Sequence, residues 1–357
     1  MRNRAVATLW LWGGLLGCEQ ELSFTPEPVD INPDDVTPCA FEDVPGTKFS
    51  AYTCNPVLVG TDEPWLTSIS TVGFRTQMVL GHPWYQLWYV GEGPNGWGLG
   101  YAVSDNGIDW SPHPTNPVYR SNEPWTRDGA STLHVAFDPG WQRYVMSYQA
   151  YELDTPRFGI GVATSVDGVA WDRHPDNPVL DLGENTANGQ AICWPLSLTA
   201  TETGLTGMVA ARPNGGEYCQ PVGVDIASPG QWSVTTAPVF DGQVPAYETG
   251  GVASAAEVEL DGIRYLFYVA FDGWNVTGQT QSPRGLHLAL ATSVGGGPWI
   301  RHPDNPIRAL SNAVDGEVSA VAAQVVGSRI HVWLTDRYAD LDRSAVGYFL
   351  YDPQKIP

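Results

Sequence analysis

The sequence predicts an all-β fold, a five-bladed β-propeller that is closed by the N-terminal strand completing the last blade. The main observation is a repeat that ends in Asn-Pro-Val or a close variant, with its tail beginning at positions 55, 116, 177, 237 and 305. The intervals of 61, 61, 60 and 68 residues are typical of a repeat architecture. Five tails predict five structural units.

Each unit carries the pattern of a four-stranded antiparallel sheet. In the second unit, runs of β-branched and aromatic residues at Ser131–Phe137, Tyr144–Tyr148 and Gly159–Ser165 are separated by Asp-Pro-Gly and Asp-Gly turns. Short runs divided in this way predict a β-meander, and no stretch of ten residues shows a helical period. Four-stranded units repeated around an axis are propeller blades.

The two ends of the repeat region complement each other. The fifth unit, 315–352, stops after its third predicted strand, and the missing tail occurs at Phe49–Leu58 near the other end of the sequence. Pairing the two would close the ring and leave no open sheet edge. We therefore expect residues 49–357 to form the propeller.

The first residues resemble a bacterial lipoprotein signal. Arg2 and Arg4 precede an apolar stretch, Ala5–Leu16, which is too short to span a bilayer. Cys18 follows Leu-Leu-Gly, as in a lipobox. We expect residues 1–17 to be a signal peptide and Cys18 to be lipidated, with an ordinary secretory signal as the alternative.

Residues 18–48 are acidic and rich in proline, a composition typical of a disordered tether. With a lipid on Cys18, the tether would hold the propeller at the bacterial cell envelope, facing the periplasm or the exterior. The only contact with the membrane would be the lipid anchor, and we expect the protein to be a monomer.

The charge balance restricts the partners. The formal net charge is −21, and the only lysines are Lys48 and Lys355. Nucleic-acid binding needs clustered basic residues, so the sequence argues against it. An anionic polysaccharide would be repelled as well, unless local arginines outweigh the overall negative field, and a neutral oligo- or polysaccharide is the favoured ligand.

Four further cysteines allow three pairings, and proximity in the sequence favours Cys39 with Cys54 and Cys193 with Cys219. No cysteine or histidine spacing typical of a metal site occurs. We expect no cofactor, and the sequence leaves open a structural calcium ion in the central channel.

Residues that recur at one repeat position are assigned to packing rather than to chemistry, because a repeated structural role explains them. They are His113, His174, His302, Trp110, Trp171, Trp232, Trp299 and the turn residues Asp167 and Gly168.

Residues specific to one blade, near the start of its innermost strand, are the candidates for function. Paired carboxylates beside a cavity suit glycoside hydrolysis, in which one acid protonates the leaving oxygen and the other activates water or attacks the sugar. The catalytic candidates are Asp128, Glu248 and Glu317. The candidates for binding substrate are Arg75, Arg127, Gln190, Trp194, Tyr247 and Asp315.

The repeat, with its Ser-x-Asp-Gly-x-x-Trp…Asn-Pro-Val pattern, resembles the five-bladed propellers of the arabinanase/levansucrase/invertase superfamily, and in particular family 43 glycoside hydrolases. That resemblance implies an Asp base in the first blade, a second Asp in the second blade and a Glu acid in the third. Asp128 fits the second position. The first blade's inner strand, Ser70–Leu80, contains no Asp, and Glu184 lies well ahead of the third blade's strand.

The triad implied by the resemblance is therefore incomplete in this sequence. Two functions remain, a glycoside hydrolase whose acids come from the second, fourth and fifth blades, and a sugar-binding or scaffolding propeller that has lost catalysis. A similarity of Ser165–Gly168 to the sialidase Asp-box is weaker, because the spacing is one residue short and sialidases have six blades.

Overall fold

Five antiparallel sheets follow one another along the chain, which confirms the predicted five-bladed propeller. The computed structural model describes residues 38–79, 82–120, 129–152, 157–182, 190–202, 204–213, 218–277, 280–307, 310, 318–338 and 340–355. The predicted signal peptide, Cys18 and most of the predicted tether lie outside these residues. No helix in the described part is long and apolar enough to cross a membrane.

The first three blades use consecutive strands, ordered from the innermost outward. Blade 1 contains β3 (Ser68–Val79), β4 (His82–Gly93), β5 (Gly96–Ser104) and β6 (Ser111–Pro112). Blade 2 contains β7 (Gly129–Asp138), β8 (Arg143–Glu152), β9 (Arg157–Ser165) and β10 (Asp172–Arg173), with β11 (Leu180–Leu182) also paired to β9. Blade 3 contains β12 (Gln190–Ala200), β13 (Leu205–Pro213), β14 (Gln220–Ser228) and β15 (Gln231–Pro238).

Blade 4 contains β16 (Gly251–Leu260), β17 (Ile263–Thr277), β18 (Thr280–Val294) and β19 (Ile300–Arg301), and a short 3₁₀ helix, Ala246–Glu248, precedes it. Blade 5 contains β20 (Ala320–Val326), β21 (Arg329–Tyr338) and β22 (Arg343–Tyr351), followed outward by two strands from the other end of the chain, β2 (Phe49–Tyr52) and β1 (Phe41–Asp43).

The ring closes in blade 5 as predicted. Phe49 of β2 pairs with Tyr351 of β22 in antiparallel register. The sheet begins earlier than the expected boundary at Phe49, because Phe41–Asp43 adds a fifth strand within the stretch assigned to the tether. The predicted disulfide between Cys39 and Cys54 is present beside these strands.

The hydrophobic core lies between the blades rather than within any one of them. The innermost strands contact one another in the cyclic order β3, β7, β12, β16, β20 and back to β3. Each pair of neighbours shares an apolar cluster, such as Phe267 of blade 4 with Val332 of blade 5, or Trp88 of blade 1 with Met146 of blade 2. Adjacent sheets therefore stabilise each other around the ring.

The repeated Asn tail seals the outer side of the third strand. The side-chain oxygen of each Asn accepts a hydrogen bond of 2.7 to 2.9 Å from a third-strand N–H, and its amide donates one of 2.9 to 3.1 Å to the carbonyl of the same residue. Each amide thus replaces a neighbouring strand at one position. The four residues are Asn55, Asn116, Asn177 and Asn305, each followed by a cis-proline.

The turn at Asp167-Gly168, whose counterpart in blade 1 is Asn106-Gly107, joins one blade to the previous one. Asp167 caps its own turn by accepting the N–H groups of Val169 and Ala170, both at 2.8 Å. The carbonyl of Gly168 then accepts the indole N–H of Trp88 in blade 1 at 2.7 Å. These contacts explain the recurrence of the turn as packing.

His134 is a buried titratable group in the wall of the channel. It lies on β7, is only 8% exposed, and its Nε2 atom has no hydrogen-bond partner in the described part of the chain. Burial lowers the pKa of His134 to about 4, and a hydrogen bond to the backbone of Pro195 offsets only part of this effect. The folded protein therefore holds a neutral imidazole at pH 5 to 7.

We predict that His134 makes the fold acid-sensitive. Below pH 6.5 the unfolded chain binds a proton that the folded chain excludes, so the free energy of unfolding should fall by about 2 to 3 kcal/mol between pH 7 and 4.5. His134→Gln should remove that share of the pH dependence in urea unfolding, whereas exposed His82→Gln should keep it. Parallel pH profiles for wild type and His134→Gln would contradict the prediction.

Candidate functional site

The predicted site lies at the end of the ring where the inner strands begin, because every blade repeats the same strand order. Four of the predicted residues, Arg127, Asp128, Asp315 and Glu317, lie outside the described residues. Gln190 is the first residue of β12, opposite Pro213.

The channel behind this end is wide and partly polar. A cavity of about 920 Å³ is bounded by the five inner strands. Glu257 and Arg264 form an ion pair of 2.7 Å within it. In the described residues, no cluster of three or more potential metal ligands occurs.

Arg75 lines this channel, but its guanidinium group is already engaged. It donates a 2.6 Å hydrogen bond to the hydroxyl of Tyr144 and lies 4.1 Å from the ring centre of Phe137. It also sits in the second half of β3, away from the strand's start. These contacts join blade 1 to blade 2, and the expected role of Arg75 in binding substrate stays a prediction.

Trp194 belongs to an aromatic cluster between blades 3 and 4. Its indole N–H donates to the carbonyl of Val252 at 3.0 Å, which fixes the ring against the start of β16. Phe271 and Trp274 each lie 5.9 Å from it, centroid to centroid. Phe271 is fully buried, whereas Trp194 and Trp274 remain partly exposed and can present apolar surface to a ligand.

A disulfide holds this cluster in place. Cys193, next to Trp194, is bonded to Cys219, as the sequence predicts. Cys219 in turn pairs with blade 4, accepting the N–H of Val252 and donating to the carbonyl of Gly250, both at 3.1 Å. Gly251 has φ +134°, and a Cβ there would lie 2.5 Å from the carbonyl oxygen of Cys219, so this close approach requires glycine.

Glu248 is fully buried and cannot reach a substrate. Its two carboxylate oxygens accept hydrogen bonds of 2.7 and 3.0 Å from Arg301, on the outermost strand of blade 4. Tyr218 and Tyr268 donate further hydrogen bonds of 2.6 and 3.2 Å. The assignment of Glu248 as a catalytic acid is therefore corrected, since it forms a buried ion pair between the segment that precedes β16 and the outermost strand of blade 4, with Tyr218 of blade 3 as a further partner.

The surroundings of Glu248 support this interpretation. Burial alone would lower the pKa of Arg301, but the hydrogen bonds and charge of Glu248 raise it above its usual value. The guanidinium also lies 4.2 Å from the ring centre of Phe240. Tyr247 contacts Tyr268 through their hydroxyl groups at 3.4 Å, so it belongs to the same joint between the blades.

Sequence reasoning missed Asp272, an exposed carboxylate two residues before Trp274. It stands near the end of a second strand, whereas the candidates were sought only at the starts of inner strands. The signal that could have found it is the stretch Phe271–Asn275, in which two aromatic residues flank an acid and a glycine.

We predict that Glu248→Gln destabilises the fold without removing a catalytic group. The change leaves the buried Arg301 charge uncompensated, so the free energy of unfolding should fall by about 3 kcal/mol or more in urea titrations. Asp342→Asn, which breaks an exposed ion pair with Arg337, should cost less than about 1 kcal/mol. Equal stability of the two variants would contradict the prediction.

No known protein family and no curated protein matches the chain by sequence. Solved structures do match it. A thermostable family 43 glycoside hydrolase superposes with a TM-score of 0.53 at 16% identity, covering 82% of this chain and 91% of its own. A glycosyl hydrolase from Bacteroides ovatus gives 0.57 at 15% identity, covering 85% and 93%.

A third structure comes from the GH130 family of mannoside phosphorylases, described as containing glycoside hydrolases that target β-1,2-mannosidic linkages in Candida mannan. It superposes with a TM-score of 0.54 at 16% identity over 92% of this chain and 98% of its own. Identities this low establish shared architecture only. The chain thus has the five-bladed propeller fold of glycoside hydrolases of families 43 and 130.

Proposed function

We propose that this protein is a glycoside hydrolase that acts on a neutral glycan at the end of the ring where the inner strands begin. The observation that carries the proposal is a partly exposed pair of indoles, Trp194 and Trp274, at this end of a propeller whose fold glycoside hydrolases share. Aromatic faces of this kind stack on the apolar faces of sugar rings.

The chemistry requires two carboxyl groups, and Asp128 and Glu317 are the proposed pair. One, held protonated, would give its proton to the glycosidic oxygen, while the other, ionised, would activate water or attack the anomeric carbon. Their separation would set the stereochemistry, about 5 Å for retention and 6.5 to 9.5 Å for inversion. Arg127 and Asp315, next to these acids in the sequence, are proposed to bind substrate.

A neutral substrate fits the charge of the molecule. The net charge of −21 repels polyanions at long range. Arg75, Arg264 and Arg301 are bound to protein partners, whereas the exposed Arg284 of β18 lies beside Trp274, over Gly273. Sugar hydroxyl groups need no positive partner.

The second candidate is a propeller that binds glycans without cleaving them. It is favoured by the loss of Glu248 from the catalytic set and by the absence of any Asp or Glu in β3, the inner strand of blade 1. The indole pair would serve such a protein equally well.

We predict that Asp128→Asn and Glu317→Gln each lower turnover at least about 100-fold, because general acid–base catalysis contributes that much. The test is a screen of p-nitrophenyl glycosides and neutral polysaccharides, including Candida mannan, with and without inorganic phosphate. Asp172→Asn, an exposed change on the outer strand of blade 2, is the matched control and should keep wild-type turnover.

The outcomes separate the candidates. Cleavage by the wild type that both variants retain would remove Asp128 and Glu317 from the site. Retardation in polysaccharide gels without any cleavage would favour the binding propeller. Neither cleavage nor retardation would argue against a carbohydrate ligand altogether.

We also propose that lipidation of Cys18 tethers the protein to the bacterial cell envelope, a proposal supported by the sequence of the first residues. Cys18→Ser should then move the expressed protein from the detergent phase to the aqueous phase in Triton X-114 partitioning. Cys39→Ser, which removes a cysteine that forms a disulfide, is the control and should leave partitioning unchanged. Partitioning of Cys18→Ser into detergent would refute the lipid anchor.

A further inference from the structure

The hairpin β17–β18 of blade 4 is longer than its counterparts. Both strands have 15 residues, whereas the second and third strands of the other blades have 9 to 12. Pairing continues through Trp274 opposite Pro283 to Thr277 opposite Thr280. The extra length lies at the end of the ring where the inner strands begin.

A glycine lies opposite Asp272 at the base of this outer part. The register of β17 against β18 continues unchanged from Phe271 opposite Leu286 to Gly273 opposite Arg284, which places Asp272 opposite Gly285. Gly285 has φ +61°, and a Cβ there would lie 2.5 Å from the Asp272 carboxylate. Only glycine fits such a position without strain, so the carboxylate of Asp272 packs directly over the strand opposite.

The base of the outer part is held against the start of β16. The hydroxyl of Thr249 donates to the carbonyl of Asp272 at 2.7 Å, and the N–H of Gly250 donates to the carbonyl of Phe271 at 3.0 Å. Trp274 then packs edge-on against Phe271, with centroids 4.9 Å apart, and meets Trp194 of blade 3. The hairpin therefore stands over the joint between blades 3 and 4.

The side chains of this hairpin have the chemistry of a sugar subsite. Asp272 is exposed, and its carboxylate makes no hydrogen bond or ion pair with any other described residue. Trp194 and Trp274 beside it are partly exposed. A carboxylate accepts strong hydrogen bonds from hydroxyl groups, an indole face receives the C–H face of a sugar ring, and the guanidinium group of Arg284, which lies over Gly273 beside them, can donate hydrogen bonds to hydroxyl groups.

We propose that this outer hairpin is a specificity wall, in which Asp272, Trp274 and Trp194 bind one sugar unit of a neutral oligo- or polysaccharide. The inference rests on the proposed carbohydrate function and deepens it. A wall beside the catalytic end adds binding energy only for a chain long enough to reach it. The protein should therefore prefer long neutral glycans to single-sugar substrates.

The test compares Trp274→Ala and Asp272→Asn with wild type in two assays. Affinity electrophoresis in gels that contain yeast mannan, arabinan or xyloglucan measures binding, and release of p-nitrophenol from p-nitrophenyl monoglycosides measures hydrolysis. Both variants should bind the retarding polysaccharide about 10-fold more weakly, which corresponds to about 1.4 kcal/mol. Any monoglycoside activity of Asp272→Asn should stay within about twofold of wild type, because Asp272 lies outside the indole pair on which the proposed function rests. Trp84→Ala, which removes a partly exposed indole near the opposite ends of the inner strands, should change neither.

Asp272→Asn keeps the test sharp, because it alters an exposed side chain without changing its size and should not disturb folding. Unchanged retardation of both variants would overturn the wall while leaving the carbohydrate function standing. Equal losses on polysaccharide and monoglycoside would also overturn it, since the residues would then act in the central site. A wild type that is neither retarded nor active would overturn the proposed function itself, and the wall with it.

Discussion

Closure of the ring is the constraint on which the rest of this structure depends. The apolar clusters lie between blades, so no blade has a complete core until its neighbours are present on both sides. The pairing of Phe49 with Tyr351 and the hydrogen bonds between Asn55 and Tyr348 supply the last of these contacts. The central channel and both of its ends therefore form only when the ring closes.

The fold could be predicted from the sequence because each blade has the same structural requirements, and the residues that meet them recur along the chain. The tail beginning at Asn177 and the turn at Asp167-Gly168 recur because each makes the same hydrogen bonds in each blade that retains it. Blade 3 has lost the Asn, at Ala237. A disulfide links Cys193 to Cys219 within this blade, and the buried ion pair of Glu248 with Arg301 lies next to it. These features occur in one part of the ring only. The sequence predicted the disulfide through its cysteines, but it gave no sign of the ion pair.

The candidate site was less predictable because position along a strand does not reveal what a side chain meets. Glu248 precedes an inner strand, as a catalytic acid would. The chain before β16 nevertheless places its carboxylate between the blades, where it forms an ion pair with Arg301, 53 residues away in the sequence. Trp194, predicted to bind substrate, is partly exposed near the start of β12, and its role in binding stays a prediction. Asp272 was not singled out, because it lies in the second half of a second strand, opposite Gly285, whereas the candidates were sought at the starts of inner strands.

The way blade 5 is assembled has a consequence for chain connectivity. The Nζ atom of Lys355 lies 2.8 Å from the Oδ1 atom of Asp43 and donates a hydrogen bond to the carbonyl oxygen of Phe49. Both ends of the described propeller therefore meet on one blade. A short linker could join them, and the exposed turn at Gly295-Gly296, where a Cβ would touch nothing, could be opened instead. The resulting circular permutant would keep every blade and merely shift the seam to blade 4. The contacts between neighbouring blades fix the order of the blades around the axis, and that order does not depend on which blade contains the two ends of the propeller.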